Sequence, residues 1–240
     1  MEIERMDPTR SDIAKLIASV YQKTFGGDPW NEGWKCTECG TVLPLSYPEG
    51  NCPSCAQDGK SLPLAEYWPA EQIISDLCRE MAKPNSICLT VQTGGEIVGF
   101  AWGYEICIDQ STDAYLDAPG LHMLTNGTYF YLDEVAILPE YQGKGIGKEL
   151  VQRIFLEQSR NNILLRTING SRMFSIIQKM EGRTALNISR DRVIMTLDLS
   201  PSPFNIKQKL HRHRRCSFNK SEFRPKIFNF QTPLPAGREN

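Results

Sequence analysis

Apolar and polar residues alternate along this chain in two rhythms, one fitting strands and one fitting helices. "EIERM" near the start predicts a short strand, and Asp7 to Phe25 places Ile13, Leu16, Ile17 and Val20 on one helical stripe. From Gly26 to about Glu66 both rhythms give way to Gly, Pro, Trp and Cys, which predicts an inserted module over residues 27–66. Helical spacing returns in "PAEQIISDLCREMA", with Pro69 near the first turn and Ala70, Ile73, Ile74, Leu77, Cys78 and Met81 facing inward. "SICLTVQTGGEIVGFAWGYEICI" predicts two strands joined at Gly94-Gly95, whereas residues 109–127 lack a stable period and predict a loop or short helix. "TYFYLDEVAIL" then predicts a strand, "GKELVQRIFLEQ" a helix, "NILLRTI" a strand, "SRMFSIIQKM" a helix, and "TALNIS" with "RVIMTLDL" a closing strand pair. This order predicts an α/β (α+β) fold, a mixed sheet flanked by helices rather than a bundle or barrel.

Composition adds limits to that picture. The 240 residues, 40% apolar and 23% charged, fit one globular domain over residues 1–200 with an insertion. No run of about 18 apolar residues is present and the first ten residues lack an apolar stretch, so a soluble, cytoplasmic protein without membrane contact is expected. The net charge of -1 is uneven: residues 201–240 carry nine Lys or Arg against two Glu, leaving -8 for residues 1–200. An acidic body disfavours nucleic acid as the main ligand, although "KQKLHRHRRCSFNK" in this basic, aromatic extension offers charge for RNA or an acidic protein. Phe204, Phe218, Phe223, Phe228 and Phe230 in the same extension suggest packing across the core, with a solvated tail as the alternative.

The most informative stretch is "YLDEVAILPEYQGKGIGKEL", residues 131–150, where a strand passes through three glycines into a helix. Gly143, Gly145 and Gly147 permit close approach or positive φ, and the helix that follows presents unpaired first-turn amides. Such a corner is an anion cradle, to which Lys144 and Lys148 add positive charge. A tight structural turn would use the same residues. A dinucleotide fingerprint needs different glycine spacing, and a Walker loop needs a Gly-Lys-Ser or Gly-Lys-Thr close that is absent.

Gln142, Gly145 and Gly147 resemble the Gln/Arg-x-x-Gly-x-Gly/Ala signature of the GNAT superfamily of N-acetyltransferases, and Ile137 and Pro139 resemble its approach to that loop. The order of elements from residue 1 to about 199 is similar too, apart from the insertion. This resemblance implies a centrally splayed sheet and acetyl-coenzyme A as co-substrate, its pantetheine arm along Val135, Ala136 and Ile137. It also implies that Gln142, Gly143, Lys144, Gly145, Ile146, Gly147 and Lys148 form the pyrophosphate site. The implied acceptor is a primary amine on a small molecule or protein. A module that binds coenzyme A without efficient turnover, and a nucleic-acid-binding protein, stand as alternatives; dimerisation is left open.

Attack on a thioester requires an unprotonated amine, hence a nearby base or a water path. Asp133 and Glu134 are adjacent and on a regular strand would face opposite ways, so one of them is expected in the cleft. Glu134 is preferred for its longer arm, ahead of Asp133 and of water or the substrate itself. Tyr129 and Tyr131 are further polar candidates that would equally serve as packing rings. The resemblance also implies an aromatic hydroxyl near the last helix as acid, but Gln178 stands at the matching position and Arg183 follows Gly182.

Cys36, Cys39, Cys52 and Cys55 form two Cys-x-x-Cys pairs separated by twelve residues, a spacing suited to tetrahedral Zn²⁺ and similar to a zinc ribbon. Four thiolates close the shell, so the metal's expected role is structural. Trp30 and Trp34 are expected to anchor this module rather than touch substrate. Cys78, Cys88 and Cys107 read as small buried apolar residues.

Overall fold

The computed structural model describes residues 1–200 except 9, 49, 110–119 and 190. The basic extension beyond residue 200, with its proposed aromatic anchors, lies outside the described residues. In chain order the elements are β1 (Glu2–Arg5), α1 (Ser11–Phe25), β2 (Trp34–Lys35), β3 (Val42–Leu43), α2 (Pro53–Gln57), β4 (Ala65–Glu66) and α3 (Ala70–Met81). There follow β5 (Ile87–Thr93), β6 (Glu96–Ile108), β7 (Gly127–Ile137), α4 (Ile146–Glu157), β8 (Asn162–Ile168), α5 (Arg172–Lys179), β9 (Arg183–Asn187) and β10 (Arg192–Asp198). Short 3-10 turns occupy Leu121–Met123 and Pro139–Tyr141.

Seven strands make one sheet in the order β1-β5-β6-β7-β8-β10-β9. Every neighbouring pair is antiparallel except β7 and β8, which run parallel and join through Phe130↔Ile163 and Tyr131↔Leu164. Beyond Leu132 the two strands part, giving the central splay that the resemblance implies.

Strand alternation distributes β7 over two apolar layers. Phe130 and Leu132 join the large core that includes Ile17, Leu77, Leu150, Ile154 and Phe155. Tyr129 and Tyr131 turn to the other face, with Tyr104, Ile106, Leu164 and Ile194. Tyr129 is fixed there by donating to Thr125 O at 2.9 Å, so both tyrosines are packing residues of the second layer.

Two expectations about side-chain placement need correction. Leu16 is 48% exposed, because the buried arc of α1 is centred on Ile17 and Tyr21 and takes in the small Ala14 and Ala18. A single step of about 100° carries Leu16 from Ile17 toward solvent. Cys107 is also exposed, since it lies opposite Thr128 near the strand ends, and Cys78 is half-buried; Cys88 alone of these three is buried.

Candidate functional site

The cysteine insertion folds around a small sheet of its own, ordered β3-β2-β4. The first knuckle turns directly after β2, with Cys36 N–H donating to Thr41 O at 2.9 Å and Gly40 N–H donating to Cys36 O at 3.0 Å. The second uses Cys52 as the residue before α2, with Pro53 starting the helix. All four sulfurs lie within 4.8 Å of one another, including Cys36···Cys55 at 3.7 Å and Cys39···Cys52 at 3.5 Å. A tetrahedral shell with Zn–S bonds near 2.3 Å requires sulfurs about 3.8 Å apart, so Cys36, Cys39, Cys52 and Cys55 fit that ion. Trp30 packs against Phe25 with centroids 5.4 Å apart, and Trp34 Nε1 donates to Tyr47 O at 3.1 Å; both rings have anchoring contacts.

At the other end of β7, Gly143 and Gly145 hold φ of +77° and +85°. Both lie in the left-handed region, where a side chain is strained, and this geometry turns the chain sharply into α4. Gly145 precedes the helix without a side-chain cap, leaving the amides of Ile146, Gly147 and Lys148 without intrahelical acceptors. Gly143, Lys144, Gly145 and Lys148 are exposed around this corner, Gly147 is half-buried, and Ile146 tucks into the core. Gln142 instead turns its side chain inward. Its Nε2 donates to Ile137 O at 2.8 Å, while its Oε1 accepts from Arg172 Nη1 at 2.9 Å, so it ties the end of β7 to α5.

The strand register around the acidic pair departs from regular alternation. Trp102 pairs with Glu134 and Gly103 with Leu132, which leaves Asp133 as an extra residue in a β-bulge. The expectation that one carboxylate must face away is therefore overturned. Asp133 and Glu134 both line a pocket of about 190 Å³ together with Tyr21, Trp68, Trp102 and Arg166. Asp76, Arg79 and Glu80 contribute from α3, so four carboxylates meet two guanidinium groups around the cavity. Bare Gly103 lets the bulge form closely, because a Cβ there would lie 2.5 Å from Tyr131 O.

Specific donors hold the pair. Tyr21 Oη donates to Glu134 Oε1 at 3.1 Å, and Trp102 Nε1 donates to Asp133 Oδ2 at 3.2 Å. Loss of water pushes the Glu134 carboxyl well above the ordinary range, with repulsion from Asp133 adding to the rise. Asp133 rises to about 6 through desolvation and the nearby charge of Glu80, partly opposed by its bond from Trp102. Burial likewise pushes the Tyr21 hydroxyl up, which keeps it a donor to Glu134. The pocket can thus hold a cation and accept a proton from it.

Tyr21, Trp68, Asp76, Glu80, Trp102 and Arg166 were not identifiable as a group from local sequence, since they come from separate elements that only the fold brings together. Tyr21 gave a partial signal as a polar-tipped ring on the buried arc of α1. Gln178 and Arg183 are exposed, and Ser171 caps α5 by accepting from Phe174 N–H at 3.1 Å.

Residues 55–169 match the family described as Acetyltransferase (GNAT) family. No curated protein matches the chain. Similar solved structures include an acetyltransferase from Thermus thermophilus, 14% identical with a TM-score of 0.48, covering 83% of this chain and 98% of its own. A GNAT family acetyltransferase from Brucella melitensis in complex with acetyl-CoA is 15% identical with a TM-score of 0.47, covering 84% and 89%. The ribosomal-protein-S18-alanine N-acetyltransferase of Escherichia coli is 12% identical with a TM-score of 0.45, covering 85% and 97%. The matched segment, just under half of the chain, includes the bulged carboxylates, the parting of β7 from β8 and the glycine corner, and over these residues the chain is similar to the GNAT family.

Proposed function

We propose that this protein transfers an acetyl group from acetyl-coenzyme A to a primary amine. The observation that carries this reading is the shared pocket of Asp133 and Glu134 on the same strand that ends at the glycine corner. In this reading the amides of Ile146, Gly147 and Lys148, with the Lys144 and Lys148 charges, receive the pyrophosphate. The backbone of Val135, Ala136 and Ile137, where β7 has left β8, lies along the pantetheine arm, and an amide of Ala136 or Ile137 donates to the thioester oxygen. Gln142 supports the site by holding Ile137 and Arg172 rather than by touching the ligand.

Glu134 accepts the proton of the bound ammonium, with Tyr21 orienting its carboxylate and Asp133 keeping it basic. The freed nitrogen forms a C–N bond to the acetyl carbon as the C–S bond breaks; coenzyme A leaves with the sulfur electron pair as a thiolate, and the second proton shed by the nitrogen converts that thiolate to the thiol. The excess of carboxylates and the faces of Tyr21, Trp68 and Trp102 favour a cationic amine, on either a small molecule or a protein side chain. Zn²⁺ in the cysteine module would have a structural role, and the need for reduced thiols supports work in the cytoplasm.

A second reading, coenzyme A binding without efficient turnover, is favoured by the exposed Gln178 where the resemblance implies an aromatic hydroxyl. Thiol release from acetyl-CoA across a panel of small amines, polyamines and lysine peptides tests both. Amine-dependent release is the expected result; tight acetyl-CoA binding with no release above background throughout the panel would favour the second reading, and no binding would refute both.

A further inference from the structure

The cysteine module and the pocket are joined through Trp68, which follows β4 by two residues. β4 pairs with β2 through Trp34↔Glu66 and Lys35↔Ala65, and Tyr67 N–H donates to Gly33 O at 3.0 Å. Cys36 is the next residue after β2, so the first knuckle and the pocket wall share one ladder. The indole is then fixed from the insertion itself: Trp68 Nε1 donates to Glu32 Oε2 at 2.9 Å. The other oxygen of Glu32 accepts from Arg192 Nη2 at 2.8 Å, and that guanidinium stands 5.5 Å over the ring of Trp30. Gln22 of α1 adds a bond of 2.8 Å to the Trp68 carbonyl. Within the pocket, Trp68 meets Tyr21 edge-on at 5.7 Å, and Tyr21 holds Glu134.

We propose that Trp68 is a positioning residue through which the cysteine module shapes the amine side of the pocket. Metal loss or removal of Glu32 releases the indole, while the coenzyme corner, built from β7 and α4 outside the insertion, is retained. The assignment of an amine side rests on the acetyl-transfer reading. The coupling of insertion to indole does not.

The test uses the full chain labelled with ¹⁵N, in which the indole N–H signals of Trp68 and Trp102 are assigned from their absence in Trp68→Phe and Trp102→Phe. In metal-loaded Glu32→Ala and in protein stripped with a chelator, the Trp68 signal is expected to move to the position of a solvent-exposed indole. The Trp102 signal and the acetyl-CoA affinity by calorimetry stay unchanged, and Glu32→Gln, which keeps an acceptor oxygen, restores the Trp68 signal. An unmoved Trp68 signal in Glu32→Ala, or an acetyl-CoA affinity that falls in step with the shift, overturns the proposal. If stripping unfolds the chain and Trp102 also shifts, Glu32→Ala decides, because it retains all four thiols. Failure of the metal-loaded wild type to bind acetyl-CoA would count against acetyl transfer but leave the indole comparison in force.

Discussion

Asp133 and Glu134 show how one displaced residue changes chemistry. Regular alternation would send one carboxylate to solvent, but the bulge brings both to one cavity, where burial, with the charge of Glu80 acting on Asp133 and that of Asp133 acting on Glu134, favours the protonated forms. Glu134→Gln is expected to lower kcat for amine acetylation by about 10²- to 10⁴-fold, the usual worth of a positioned base. Steady-state kinetics and acetyl-CoA calorimetry check this, the latter remaining unchanged. If Glu134 is the base as proposed, its carboxylate is the active form and the rate is expected to rise with pH through its elevated pKa. Stability takes the opposite sign. A folded pKa of about 6 at Asp133 means that the native state retains a proton the unfolded chain gives up near its ordinary pKa of 3.8. Stability is therefore lost as pH rises across that interval, and Asp133→Asn is expected to stabilise the fold at neutral pH by roughly 1 kcal/mol. Denaturant titration of both proteins at pH 4 and 7 measures it, with the gain confined to the higher pH.

Elements differ in how openly the sequence announces them. "NILLRTI" coincides with β8 and the Gly94-Gly95 hairpin forms as expected, because unbroken apolar runs and turn residues are local signals. The glycine corner and the cysteine cluster were legible for the same reason, each being written within a few residues. The bulge was not, since it depends on how β7 pairs with β6 across 31 residues between Trp102 and Asp133. Trp68 and Tyr21 were hidden likewise by long-range packing, and the exposed Leu16 followed from where the buried arc of α1 is centred. At the corner, Gly147 separates fold from function. A Cβ there would meet only Ile137 Cγ1, at an ordinary 3.7 Å. Gly147→Ala is thus expected to leave thermal stability equal or slightly higher, by Ala's helix propensity of up to about 1 kcal/mol, yet weaken acetyl-CoA binding about tenfold. Calorimetry and thermal unfolding of the same preparation would separate the two effects.

At the scale of the whole molecule, the insertion and the far strand β10 are linked by the Glu32–Arg192 ion pair, so the metal module is braced against the sheet rather than carried as an appendage. Native mass spectrometry is expected to find one zinc per chain, lost in Cys52→Ser with release of the module's small sheet; folded wild-type protein reproducibly free of metal would contradict this. The sheet itself is divided. β1, β5, β6 and β7 form one antiparallel panel and β8, β10 and β9 another, joined by the two parallel pairs between β7 and β8. A long, thin guest lying in the gap would stitch the panels along a seam that the polypeptide leaves undone. Each departure would undo it, so the protein's rigidity would rise and fall as the guest comes and goes.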